Sequence, residues 1–167
     1  MSGAHEQFTC FWGNESPFSQ WHPSRFEVDG KHFSCAEQSM MYGKAMLFGD
    51  AEVAARILKA RSPRQHKALG RQVRGFQDEV WERERIVYEG NRAKFTQNAA
   101  LLAALRATVG TRLVEASPTD RIWGVGLARE DPRIQDPSAW RGLNLLGEVL
   151  TRLRDELLAA EAKAITR

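Results

Sequence analysis

The stretch Ala36-Glu37-Gln38-Ser39-Met40-Met41-Tyr42-Gly43-Lys44-Ala45 is where the chain stops reading as loop and short strand and turns helical. Ser34 precedes Glu37 by three residues, the spacing of a capping box, so a helix is predicted from here to about Phe48, with Gly49 ending it. At ~100° per residue, Glu37, Met41, Lys44 and Phe48 fall on one narrow stripe. That stripe is otherwise apolar, and its one acid and one amine have Cα atoms about 10.5 Å apart at 1.5 Å rise per residue. A flexible lysine spans much of that gap, so both groups could flank one small ligand. The plainer reading makes Glu37 a capping carboxylate and Lys44 a snorkelling surface lysine, and spacing alone favours it.

Upstream, Phe8 to Trp12 and Arg25 to Val28 read as short strands, and Asp29-Gly30 is a turn signal that returns Lys31-His32-Phe33 as a hairpin partner. Downstream, Ala51 to Ala60 and Pro63 to Gly70 read as two short helices, the second opened by Ser62 as cap and Pro63 in the first turn. A longer helix is expected from Asp78 to Gln97, where Trp81, Tyr88 and Phe95 recur every seven residues as one aromatic stripe. Asn98 to Thr108 continues as an apolar helix assigned to the core. Thr111 to Ala116 alternates like a strand, and Pro118 to Trp140 is mostly loop. The last helix starts near Leu145, with Leu146, Val149, Leu150, Leu153 and Leu157 on its buried side. The expected fold is a compact, mainly helical α+β domain with a small antiparallel sheet over residues 8–157, flanked by extensions 1–7 and 158–167.

Composition narrows the function. The 167 residues fit one domain, and 43% hydrophobic with 27% charged residues argues against wholesale disorder. No apolar run approaches the ~20 residues of a membrane-spanning helix. His5 and Glu6 stand where a secretory signal would be cationic and then apolar, so a cytoplasmic location is expected. Cys10 and Cys35 make neither a disulfide framework nor a zinc pattern, and His5, His22, His32 and His66 form no HExxH-like metal constellation. Serine hydrolase, P-loop and dinucleotide-binding fingerprints are missing too. The net charge is only +3, yet Arg56, Lys59, Arg61, Arg64, Lys67, Arg71 and Arg74 follow one another without an acid. Such a block is a solvated helical face or a landing site for phosphates.

Three further segments could carry chemistry. In Leu113-Val114-Glu115-Ala116-Ser117-Pro118-Thr119-Asp120-Arg121-Ile122-Trp123-Gly124-Val125-Gly126 a strand ends in a loop. That loop offers two acids (Glu115, Asp120), an indole and glycines that let backbone approach a ligand. Asp120 as a turn residue and Trp123 as a lid over core serve the pattern equally. Asn14, Glu15 and Ser16 lie among Phe11, Trp12, Phe18 and Trp21, which suits a flat hydrogen-bonding ring or a loop packed on the sheet. Gly70-Arg71 could hold a phosphate, whereas Trp81 fits core and Asn144 is placed to cap the final helix.

The ordered set is more specific than its parts. It comprises Pro17-Phe18-Ser19-Gln20-Trp21, Ala36 to Met41 through Lys44-Ala45, Gly70-Arg71, Trp81, Arg92-Ala93-Lys94-Phe95, Leu113-Val114-Glu115, Asp120 to Gly124 and Gly142-Leu143-Asn144-Leu145-Leu146-Gly147. Together these resemble the NADAR (YbiA-like) family across Phe8 to Leu157. The chain departs at Gln38, where many members have His, and at Val125, where some place an acid; these bear on substrate subgroup and not on reaction class. The resemblance implies an N-glycosidase without metal or cofactor. Its substrates would be ribosylated aminopyrimidine phosphates of riboflavin biosynthesis, or ADP-ribose on the amino group of guanine in nucleic acid. Both carry ribose on an exocyclic amine. Such a bond can break through an oxocarbenium ion, where a carboxylate stabilises charge or activates water, or through a ring-opened imine; on the second route Lys44 is the Schiff-base nucleophile and Glu37 moves protons, with Asp120 or Glu115 holding ribose hydroxyls or water. Trp12, Trp81 and Trp123 are candidate walls, and Arg71, Arg92 and Lys94 candidate phosphate contacts. Asn14, Gly124 and Asn144 complete the expected substrate-binding set. The competing reading is a binding module for ADP-ribose or nucleic acid that uses the basic block without turnover.

Overall fold

The computed structural model describes residues 5–166. Within it the chain organises into two compact units, Ser19–Leu101 and a second made of residues 5–18 and 102–166.

In the Ser19–Leu101 unit, β2 (Phe26–Val28) and β3 (Lys31–Phe33) form the expected antiparallel hairpin, closed by Asp29 and Gly30 at positive φ. Helix α1 (Ala36–Leu47) then packs on α2 (Ala51–Lys59), α3 (Pro63–Gly70) and α4 (Arg83–Thr96). Two glycines set the closest approaches. A Cβ on Gly70 would lie 1.9 Å from Met41 Sδ, and one on Gly90 would lie 2.5 Å from Ser39 Oγ. Helix α3 starts as the sequence says, with Ser62 and Gln65 forming a reciprocal capping box behind Pro63.

The start of α1 differs from expectation. Its N-cap is Cys35, and no side chain caps it. The Ser34 backbone N–H donates instead to Gln38 Oε1 at 2.8 Å, and Gln38 Nε2 donates to Ile57 O at 3.0 Å. Gln38 therefore ties the β3–α1 turn to α2, and the Glu37 carboxylate is not the cap. The helix from Asp78 to Gln97 is also broken. Asp78–Val80 is a 3-10 turn, Trp81 is extended, and α4 begins only at Arg83, so Trp81 leaves the aromatic stripe of Tyr88 and Phe95.

The other unit is built on β1 (Phe8–Phe11) and β4 (Arg112–Glu115), which pair in parallel with Phe8 opposite Arg112. The structure thus has two two-stranded ladders, the antiparallel hairpin and this parallel pair. A parallel pair demands a crossover, and the whole Ser19–Leu101 unit lies within that connection. One face of β4 joins Val114 to Ala116, Val125, Leu127 and Ile134, with Phe8 and Trp140 packed against them. On the other side runs α6 (Leu145–Ile165), burying Leu146, Val149, Leu150 and Leu153 as expected, with Leu157 half-buried. Only Gly147 allows that contact, because a Cβ there would lie 2.2 Å from Leu113 O. Helix α5 (Ala99–Arg106) buries only Leu105, so the core role expected for Asn98 to Thr108 is not realised.

Candidate active site

Each unit carries part of the expected set. In Ser19–Leu101, the stripe on α1 faces the end of α3 and the loop after it. Glu37 and Met41 are buried, and Lys44 and Phe48 are half-buried. Lys44 Nζ donates to Gly70 O at 2.8 Å, the carbonyl that the missing Cβ of Gly70 brings against α1. It also sits 4.5 Å from the Phe76 ring centroid and 5.9 Å from that of Trp81. Phe48, Phe76 and Trp81 pack edge-on and tilted around it.

Lys44 is accordingly no solvated surface lysine. Its pKa lies below the ordinary lysine value, first because burial penalises the ammonium and second because the Arg71 guanidinium repels it. The nearby Glu37 carboxylate pulls the other way and does not prevail. Glu37, Lys44 and Arg71 thus act on one another, and the net result is an amine that gives up its proton more readily than a free lysine's.

Arg71, at the end of α3, is exposed beside this group. Arg92 is exposed on α4, but Lys94 is fully buried. Lys94 Nζ donates to Ser19 O at 3.0 Å and lies 4.9 Å from the Phe95 centroid. Burial lowers its pKa to about 7, with the Cys35 thiol acting weakly in the opposite sense. The expectation of Lys94 as a phosphate contact is therefore corrected: two residues from Arg92 along a helix, it points into the core. Phe76 is the residue that the sequence reading missed. It is a lone exposed aromatic in the polar run after α3, and its only sequence signal is its closeness to Trp81.

In the other unit, β4 ends at Glu115 and the chain turns through Ser117 to Gly126. Ser117 Oγ accepts the Asp120 N–H at 3.0 Å, and Asp120 Oδ1 accepts the N–H groups of Ile122 and Trp123 at 2.9 and 2.8 Å. Asp120 is thus a turn residue through one oxygen, on a loop whose carbonyls at Arg121, Ile122, Trp123 and Gly124 accept from residues 143–146. Gly124 is buried and needed, since its Cβ would lie 2.9 Å from Glu115 O. Glu115, Asp120 and Trp123 are half-buried.

Asn144 does not cap α6. It adopts a left-handed conformation at the N-cap, while its amide accepts from Glu115 N–H at 3.0 Å and donates to Leu113 O at 3.0 Å and to Glu148. Fully buried, it positions the β4 end and is not a surface for ligand. Trp12, 61% exposed, and Asn14 lie in the turn after β1. Among the described residues, no three His, Cys, Asp or Glu side chains gather as metal ligands.

The comparison with known proteins follows this geometry. The NADAR domain model matches residues 10–158. This chain belongs to the NADAR domain family. Protein irg-1 of Caenorhabditis elegans is 39% identical over 168 residues, covering 90% of this chain and 79% of that protein. N-glycosidase R617 of Acanthamoeba polyphaga mimivirus is 42% identical over 146 residues, covering 83% of this chain and 86% of that one. The NMR structure of the Escherichia coli protein YbiA matches with a TM-score of 0.77 at 27% identity, covering 96% of this chain and 90% of that one. The α+β, mainly helical fold of the NADAR domain is thereby shown. Among the described residues, no helix is long and apolar enough to cross a membrane.

Proposed function

We propose that this NADAR chain is an N-glycosidase that hydrolyses the bond between ribose and an exocyclic amine, with Lys44 as nucleophile. Its substrates on this reading are ADP-ribose carried on guanine of nucleic acid and ribosylaminopyrimidine phosphates. The observation that supports it most is the Lys44 amine: half-buried, depressed in basicity, seated on Phe76 and Trp81, and flanked by Glu37 and Arg71. The names of the R617 and YbiA relatives agree with the reaction class.

The steps balance without a cofactor. The ribosylamine opens to a protonated imine at C1 as the ring oxygen takes a proton from solvent and leaves as a hydroxyl; that proton returns to solvent when water later adds to C1. The neutral Lys44 amine adds to C1 and gives up a proton, which Glu37 passes to the departing nitrogen. The base leaves as a free amine and a Lys44 Schiff base remains. Water adds to C1, the lysine is expelled, and the freed aldose closes again. Asp120, the second carboxylate to which the resemblance gives a catalytic part, and Glu115, which it gives to substrate binding, complete the proposal.

The test is borohydride reduction during turnover. A ribose adduct on the wild-type chain that is missing from Lys44→Ala, with turnover reduced about 10³-fold, is expected. Lys44→Arg should be equally inert, because a guanidinium stays charged and forms no Schiff base. Full activity in Lys44→Ala would remove the imine route.

A further inference from the structure

The basic block from Arg56 to Arg74 does not act as one patch. Arg74 is bound to Asp50 and Glu52, at 3.1 and 3.2 Å. Arg71 belongs to the surroundings of Lys44. Of the other five, Arg64 and Lys67 are exposed on α3 and line neither of two adjoining hollows, while Arg56, Lys59 and Arg61 lie around them.

The first hollow, about 660 Å³, has walls of Arg25, His32, Lys59 and Arg61 over Phe33 and Leu58. Among the described residues no carboxylate pairs with Arg25, Lys59 or Arg61, and the one acid in its lining, Glu27, lies 3.7 Å from His32 Nδ1. The second, about 480 Å³, shares Lys59 and Ala60 with the first and adds Arg56, Leu69 and Gln72. Arg56 Nη1 donates to Gln72 Oε1 at 3.2 Å, which fixes its guanidinium at the far end. Gln65, Ala68 and Leu69 of α3 complete its wall, so this second hollow lies between α2 and α3.

We propose that the two hollows form one track for the phosphodiester backbone of a single-stranded nucleic acid. Cations in series along joined hollows match an anion that repeats, where a lone phosphate would need only one of them. The guanidinium forks of Arg25, Arg56 and Arg61 suit phosphate oxygens, and the apolar floors accept sugar and base edges. The inference goes beyond the proposed glycosidase reading and does not rest on it. Binding itself is independent of turnover.

Fluorescence anisotropy with an unmodified single-stranded oligonucleotide of about a dozen nucleotides tests it. At about 50 mM salt, Lys59→Glu/Arg61→Glu is expected to weaken binding tenfold or more and to lower the salt slope by about two. The neutral pair Lys59→Gln/Arg61→Gln should show a smaller loss in the same sense. Arg152→Glu/Lys163→Glu, matched in charge but placed on α6, should leave affinity unchanged. Equal loss in the α6 variant would mean diffuse charge attraction and overturn the track, as would a wild type that binds no oligonucleotide or binds an acidic peptide equally well. Turnover of a small ribosylaminopyrimidine monophosphate should persist in the Lys59/Arg61 variants, and its loss there alone would overturn the separation from the reaction site. Were that turnover missing from wild type too, the glycosidase reading would fall while the oligonucleotide comparison still decided the track.

Discussion

Lys44 and Lys94 belong to the same unit, both donate to a main-chain carbonyl, and both are less basic than a free lysine. Their surroundings differ in kind. Lys94 is sealed between Ser19 and Phe95 without exposed surface, and burial alone accounts for its lowering. Lys44 is half-buried beside Phe76 and Trp81, and a second cation, Arg71, acts on it against Glu37. A depressed lysine is therefore not in itself a reaction site; access and charged neighbours separate the nucleophile we propose from the structural amine.

The contrast can be broken most directly by activity. Lys44→Ala should remove turnover, whereas Lys94→Met should retain it once the protein is folded; comparable loss in both would erase the distinction. Stability against pH sharpens the other half. The folded value near 7 for Lys94 lies below the unfolded lysine value of about 10.4, so the unfolded chain holds more protons between them. Stability should then rise with pH across that window, by up to about 1.4 kcal/mol per unit, and Lys94→Met should flatten the rise in denaturant midpoints.

A smaller effect is expected at the carbonyl that holds Lys44. Gly70→Ala drives a methyl against Met41 and should cost about 1–3 kcal/mol in thermal unfolding while also slowing turnover. The smallest belongs to Arg71→Gln. Loss of the neighbouring cation lets Lys44 keep its proton more easily, so the acidic limb of the kcat/KM profile should move to higher pH, with burial, the larger cause, still holding the amine below an ordinary lysine. A profile that stays in place would show that Arg71 does not tune the amine.

Local chemistry made much of this legible in the sequence. Ser62-Pro63 opened α3, Asp29-Gly30 closed the hairpin, and the spacing of Glu37, Met41, Lys44 and Phe48 put them on one face. What failed depended on distant partners. The Ser34–Glu37 spacing mimics a capping box, but Gln38 reaches the turn first because its amide can also bond Ile57. The seven-residue spacing of Trp81, Tyr88 and Phe95 gives no sign that Trp81 precedes the helix. Lys94 reads as a surface cation until Ser19 is seen across from it, and Phe76 carries no periodicity at all. Asn144 has the composition of a cap, yet its amide bonds β4 and leaves α6 uncapped.

The parallel pairing of Phe8–Phe11 with Arg112–Glu115 also sets a timetable for synthesis. The first strand leaves the ribosome long before its partner has been translated, and everything in the intervening segment must emerge first. Until then its edge hydrogen-bonding groups stand open to other chains, a period in which a nascent polypeptide is vulnerable to aggregation. Joining ends so remote along the chain makes closure of this ladder a slow, late event, so shielding of the leading strand becomes a requirement for productive expression.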